Sequence, residues 1–505
     1  MRIRRPALGL CLLAAACATA PQSLPPADPV GAAAAGITAA RVQRHIERLA
    51  DDDLRGRDTP SPGLELAASY LATELERSGV QSAGVGYIQR FPFERVGLDR
   101  ARLRVEARTA GSTITPQFAR EFFIIPAAVD SVVGTPIYAG TAGATRAPPE
   151  NARGAILVYY VPGSVGEEWQ GRLSAALQSA FVAGAAAAVL ALDSVFDPAT
   201  LQQIADEAAG QVLPLPVVGM RYDVARAILA LGGLDLGSLR SDPAAPGGPL
   251  TGLTLLVRPA VEAATHQAPN VVGLLAGSDP LLRNEYVVLS AHFDHVGVGT
   301  PDEQGDSIYN GADDNASGTA AMLEVARALA SLDRRPARSI LFAFVSAEEK
   351  GLLGSAHFVA QPPVPLERMA ANINVDMIGR NAPDTIVAIG QDYSSLGPTI
   401  QRIAAAHPAL GLTVAPDLWP EEQLFFRSDH FSFAAREVPA IFFTSGLHED
   451  YHAPSDEAGT IDSDKVARVA RLILRVTHDL ATAPDRPRWT EEGLAEVRRQ
   501  TGGAR

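Results

Sequence analysis

The stretch Tyr286-Val-Val-Leu-Ser-Ala-His292-Phe-Asp294 is a short apolar run that ends in an imidazole and a carboxylate. Three later runs end the same way. Ser339-Ile-Leu-Phe-Ala-Phe-Val345 leads into Glu348-Glu349, Ala371-Asn-Ile-Asn-Val375 leads into Asp376, and residues 439–445 are followed by His448 and His452. Short β-rich runs without helical alternation predict parallel strands buried on both faces. Open α/β sheets bind ligands beyond the carboxyl ends of their strands, so acids and imidazoles collected there predict a site.

Between these runs the spacing turns helical. Met322, Val325, Ala326 and Leu329 share one face, as do Val42, Ile46 and Leu49, and Leu64, Ala67, Leu71 and Leu75. Strands alternating with helices from about residue 253 to 481 predict an α/β fold: a mixed, largely parallel sheet flanked by helices. Residues 135–250 differ in kind. Strand-like Gly154-Ala-Ile-Leu-Val-Tyr-Tyr160, a helical pattern over 173–183, a strand at 185–192 and Leu213-Pro-Leu-Pro-Val-Val218 end in no acid or imidazole, and the segment closes in the Pro/Gly-rich stretch 241–248. This predicts an inserted, smaller α/β unit without catalytic residues.

The chain has 505 residues and 47% hydrophobic content, enough for two or three domains with a sizeable core. Its formal charge of −14 and the lack of any Lys/Arg cluster exclude nucleic acid as a natural partner. Arg2, Arg4 and Arg5 followed by an apolar stretch ending at Cys17 have the layout of an export signal. Two processing routes remain open: lipid attachment at Cys17, or cleavage after Ala18-Thr-Ala20 to release a soluble protein. No later apolar run reaches the length of a membrane span.

The strand-end residues suit divalent cations. In His292-Phe-Asp294 both side chains point to the same side of an extended segment, so His292 can bind a metal while Asp294 orients an imidazole. Asn310-Gly-Ala-Asp313-Asp314-Asn315 places two acids at a helix start where one cap would suffice, which suits a carboxylate bridging two cations. Of the pair Glu348-Glu349, one can ligate and the other take a proton from water. Asp376 stands in so apolar a stretch that it needs a cation or hydrogen bonds. His448-Glu449-Asp-Tyr-His452 satisfies H-E-x-x-H, but Gly446 before it and Pro454 after it leave no room for the helix that motif requires. Only His452 is then expected to ligate.

Together, Ala291-His292-Phe-Asp294, Gly311-Ala-Asp-Asp314-Asn-Ala-Ser-Gly318, Ala347-Glu348-Glu349-Lys-Gly-Leu-Leu-Gly354-Ser355, Asn374-Val-Asp376-Met377, Arg427-Ser-Asp-His430 and Tyr451-His452-Ala-Pro-Ser-Asp456 resemble the M28 family of cocatalytic zinc peptidases. Asp53-Leu-Arg-Gly-Arg57 and Asn270-Val-Val-Gly273 extend the likeness, and the inserted segment resembles a protease-associated (PA) domain. The resemblance implies two Zn²⁺ ions: His292 and Asp376 on one, Glu349 and His452 on the other, Asp314 between them. It makes Glu348 the general base acting on a metal-bridged water, with Asp294 and Tyr451 assisting. Arg427, Glu421, Glu422 and His430 are candidate substrate contacts.

The implied organisation is a signal (1–20), a tether (21–36), a peptidase domain in two parts (37–134 and 251–485), the insertion (135–250) and a tail (486–505). The implied function is an exported, periplasmic, lipid-anchored or secreted exopeptidase acting on peptides. Aminopeptidase action leads, with carboxypeptidase or dipeptidase action on the same centre, or a non-catalytic PA-containing binding protein, as alternatives.

Overall fold

The computed structural model describes residues 28–501 apart from 144–148, 150, 164–166, 194–200, 202–203, 205–212 and 243–245. The export-type N-terminus with Cys17 and residues 21–27 of the proposed tether lie outside the described residues, as do parts of the stretch 241–248 and of the tail; the rest of the tether is not a flexible linker, since Pro29–Ala35 form a helix with Ala34 buried. No helix among the described residues is long and apolar enough to cross a membrane.

The main sheet contains β1 (Gln81–Ser82), β2 (Ile88–Leu98), β3 (Val261–Leu275), β4 (Tyr286–His292), β5 (Ser339–Val345), β6 (Met369–Val375), β7 (Thr385–Ile389), β8 (Thr413–Ala415) and β9 (Ala440–Thr444). Their order is β1-β3-β5-β4-β6-β9-β7-β8, with β2 also on β3. The middle four strands, β5, β4, β6 and β9, are parallel, and the flanks turn antiparallel at β3 and β7. The sheet is therefore mixed, with the parallel part at its centre. All four of the apolar runs identified in the sequence are these central strands, so their carboxyl ends share one edge.

Alternation along the strands feeds two cores. Val287, Leu289, Ala291, Ile340, Phe342 and Phe344 pack into one cluster, while Val288, Leu341, Ala343 and Val345 pack into another on the opposite face. Helices α1 (Ala39–Leu49), α2 (Pro62–Arg77), α3 (Gly318–Ala330) and α5 (Ser463–Thr482) cover the first face, and α4 (Leu353–Ala360) lies on the second. Caps fix the helix starts: Leu64 N donates to Ser61 Oγ at 3.1 Å, and Lys465 N donates to Asp462 Oδ1 at 2.9 Å.

Helix α3 carries a buried acid, Glu324. Its carboxylate accepts from Arg41 Nε at 2.9 Å and Arg327 Nη2 at 2.7 Å, with His45 Nε2 at 3.4 Å. Burial alone would raise its pKa, but hydrogen bonds from His45, Arg327 and Arg41 outweigh this and hold it far below the usual carboxylate range. A depressed folded-state pKa contributes stability above the unfolded-state value of about 4.3 that is lost as pH falls through the folded value. Glu324→Ala is expected to cost about 2–3 kcal/mol in denaturant titrations at neutral pH, with a difference from wild type that shrinks in acid. A pH-independent difference would contradict the pairing.

The inserted unit is larger than composition suggests. Its six-stranded sheet runs Gly248–Pro249, Pro136–Thr141, Ile156–Val161, Ala187–Leu192, Val217–Met220 and Phe122–Ile125. A second sheet pairs Thr254–Arg258 with both Arg104–Arg108 and Val132–Gly134. These two sheets draw strands from both sides of the range 135–250, from Arg104 after β2 to Arg258 before β3. Those two strands form the antiparallel ribbon joining it to the main sheet, from Val261 opposite Leu98 to Val271 opposite Ile88. On this ribbon Phe91 and Phe93 are buried with Ala268 and Ala347, and the Phe91 ring stacks on His357 of α4 at 5.3 Å.

Candidate metal centre

Parallel register brings the strand ends together. Ser290 of β4 lies opposite Asn374 of β6, and His292 lies opposite Val345 of β5, so Asp376 falls beside His292 and the Glu348-Glu349 turn beyond it. A chain of hydrogen bonds beneath them runs from Ser290 Oγ to Asn374 Oδ1 (2.7 Å), from Asn374 Nδ2 to Ser428 Oγ (2.8 Å) and from Ser428 Oγ to Asp376 Oδ2 (2.8 Å). That leaves Oδ1 of Asp376 free to face His292 Nε2 at 3.1 Å.

Two groups of metal-competent side chains result: His292, Glu348 and Asp376; and His295, Asp314, Glu349 and His452. Asp314 joins them. Its Oδ1 lies 3.2 Å from His292 Nε2 and its Oδ2 lies 3.2 Å from His452 Nε2, while His452 Nε2 is also 3.2 Å from Glu349 Oε2. His292 is held from behind by Asp294, whose carbonyl oxygen is 3.2 Å from Nδ1. The Asp294 carboxylate takes Thr59 Oγ1 at 3.0 Å and the Glu348 backbone N–H at 3.3 Å, tying the first strand end to the Glu348 turn.

The donors fit cations. Bond lengths of about 2.0–2.2 Å at tetrahedral angles put ligand atoms about 3.3–3.6 Å apart, slightly wider than the 3.1–3.2 Å separations among His292, Asp314, Asp376, Glu349 and His452. His452 Nε2 has no hydrogen-bond partner although it is buried. Imidazole and carboxylate donors suit zinc and similar divalent ions.

Neighbouring acids are driven apart. Burial pushes the Glu348 carboxyl well above the usual range, with Asp429, Glu349 and Asp376 adding to it and His292 opposing. Burial and Asp314 would also raise Glu349, but the imidazoles of His295 and His452 beside it outweigh them and hold it at about 2. One of the pair is thus suited to exchange a proton and the other to remain a carboxylate.

A cavity of about 440 Å³ opens on this cluster, lined by His292, Asp314, Glu348, Glu349, Asp376 and Tyr451 and, on its other walls, by Leu352, Met377, Leu424, Phe426, Arg427, Phe431, Phe442 and Leu447. Tyr451 stacks on His452 with ring centres 3.9 Å apart. Arg427 stands at the wall, 3.2 Å from Glu422, both half exposed. Glu421 and Glu422 are absent from the lining. His430 is corrected as a substrate contact: it is fully buried, stacked on Phe442 at 5.0 Å and against Phe425, and burial lowers its pKa to about 3.

His448 and His452 separate in a turn, not a helix. His448 Nε2 lies 3.3 Å from Asp313 Oδ2, away from the carboxylates that face His452. Asp456 accepts from the backbone N–H groups of Asp313 (2.9 Å) and Asp314 (3.1 Å), fixing the loop that aims Asp314. Sequence reading passed over His295, which directly follows the H-x-D pair, and over the roles of Arg57 and Thr59.

The parallel strands thus end in an edge lined with acids and imidazoles, the place where open α/β sheets bind ligands. Residues 270–477 match the model of peptidase family M28. Aminopeptidase YwaD of Bacillus subtilis is 27% identical over 248 residues, covering 46% of this chain and 50% of that protein. The chain thus spans about half the length of the curated relatives it matches. An aminopeptidase from Aneurinibacillus sp. strain AM-1 shares the fold with a TM-score of 0.55 at 19% identity, over 90% of this chain and 97% of that one. The zinc aminopeptidase BSAP from Bacillus subtilis does so with a TM-score of 0.53 at 18% identity, over 88% and 96%.

Proposed function

We propose that the chain is a dinuclear zinc exopeptidase, an aminopeptidase that hydrolyses the N-terminal peptide bond of its substrates. The observation that carries this reading is Asp314, whose two oxygens face the histidines of two separate donor groups at 3.2 Å each. His292 and Asp376 would hold one ion, Glu349 and His452 the other, with Asp314 shared. When bound, such ions polarise the scissile carbonyl and lower the pKa of water. Glu348 takes the proton of the attacking water and delivers it to the leaving amine. Asp294 holds His292 and the Glu348 turn in register, and Tyr451, on the cavity wall beside His452, would donate its hydroxyl to the developing oxyanion. The cavity walls exclude water and admit a peptide end.

Export, with lipid attachment at Cys17 or cleavage after Ala20, belongs to the same proposal and is supported by the sequence of the N-terminus. A PA-like role for the inserted unit is supported by its separate sheets and cores.

Carboxypeptidase or dipeptidase action is the second reading, favoured by Arg427 on the cavity wall as a partner for a substrate carboxylate. Peptides with free ends, an acetylated N-terminus or an amidated C-terminus separate the two. Aminopeptidase action requires that acetylation abolish cleavage and amidation leave it. Metal analysis should find close to two zinc-class ions per chain, with activity lost on chelation; full activity with one ion would defeat the dinuclear centre.

A further inference from the structure

The residue after Asp294 is a third imidazole at the centre. His295 is fully buried, and its Nδ1 lies 2.8 Å from Glu349 Oε1 and 3.6 Å from Asp314 Oδ2. Its ring stands edge-on to His452 with centres 5.4 Å apart. Gly311 makes room for it, since a Cβ at that position would stand 2.5 Å from His295 Cγ.

The distances separate two kinds of contact. His292 and His452 face their carboxylate oxygens at 3.1–3.2 Å, nearer the spacing of about 3.3–3.6 Å for two ligands of one ion. His295 meets Glu349 at 2.8 Å, the length of a charge-assisted N–H···O bond. Two ligand atoms of one tetrahedral ion stand about 3.3–3.6 Å apart, so the 2.8 Å contact is that of a hydrogen bond, with Nδ1–H donating to the carboxylate. The oxygens of Glu349 are also divided: Oε1 faces His295, and Oε2 faces His452.

We propose that His295 is a positioning residue whose Nδ1–H occupies Oε1 of Glu349, so that Glu349 offers only Oε2 to the ion it shares with His452 and Asp314. A glutamate free to chelate through both oxygens would fill a coordination position that a catalytic site keeps open. The inference rests on the dinuclear reading above.

The test compares wild type, His295→Ala, His295→Asn and His295→Cys after loading with Zn²⁺ or Co²⁺. Ion retention against a graded chelator and the absorption spectrum of the Co²⁺ forms are read, with circular dichroism of the metal-free proteins as a check on folding. His295→Ala should weaken one of the two ions by about 10- to 100-fold and leave the other nearly unchanged. It should also dim the visible Co²⁺ bands, as coordination rises when Glu349 chelates. The amide of His295→Asn can still donate to Glu349 and should recover most of the retention. His295→Cys cannot make that bond and should not recover it.

Unchanged retention in His295→Ala overturns the proposal. So does recovery by His295→Cys with a thiolate-to-Co²⁺ band in the near ultraviolet, which would make residue 295 a ligand. Equal loss of both ions without recovery by His295→Asn overturns it as well, as a merely structural effect. If the wild type itself binds no Zn²⁺ or Co²⁺, the metal-centre reading fails instead.

Discussion

Glu348→Gln is expected to lower kcat by about 10²–10⁴ while the protein keeps its metal, the usual worth of a general base. Glu348 faces the cavity beside His292 and Asp376, and its backbone N–H, not its carboxyl, is what Asp294 holds. Glutamine preserves the shape and the backbone contact but cannot accept and pass on a proton. Burial raises the proton affinity of this carboxyl, so in its ionised form it is a stronger base for taking a proton from water and passing it to a leaving amine. Glu449→Gln, in the H-E-x-x-H look-alike, should change kcat by less than about 2-fold, because Glu449 lies on an exposed turn outside the cavity. Kinetics and metal analysis on the same preparations decide the matter: metal loss with Glu348→Gln, or a large effect of Glu449→Gln, would reverse the assignment.

The strand ends were legible because each apolar run stops at its chemistry. A buried parallel strand needs continuous apolar residues, so the first acid or imidazole after it announces the carboxyl edge. The rejection of a helical H-E-x-x-H was legible too, since Gly446 and Pro454 bracket a turn and His452 adopts a positive φ of 53°. What sequence concealed was pairing across long separations. Arg104–Arg108 belongs to the inserted unit only because Thr254–Arg258 pairs with it, and no composition shift marks that start. His430 reads like a site residue in Arg427-Ser-Asp-His430, yet it starts a helix of five residues and turns into the aromatic cluster of Phe425 and Phe442. His295 was hidden by its own neighbours, because His292 and Asp294 already satisfied the motif.

Arg57→Ala is expected to destabilise the fold by about 3–5 kcal/mol and to weaken ion retention, although Arg57 lies far in sequence from every donor. Its guanidinium is fully buried and donates to four backbone carbonyls: Phe293 at 2.8 Å, Asn310 at 2.7 Å, Gly311 at 3.0 Å, and Leu49. Phe293 separates His292 from Asp294, and Asn310 and Gly311 begin the loop that carries Asp314, so one side chain clamps both halves of the centre to α1. Burial lowers its pKa to about 10, with Asp294 and Asp314 opposing, so it remains charged at neutral pH. Removing it strands buried carbonyls at about 1–3 kcal/mol each, and relaxation of the loops recovers part of that. Arg57→Lys should restore less than half, since an ammonium cannot span acceptors that the planar guanidinium reaches in several directions. Denaturant unfolding and chelator competition on the two variants test this. A loss below about 1 kcal/mol with unchanged ion retention would mean that the ligand loops hold their geometry without the clamp.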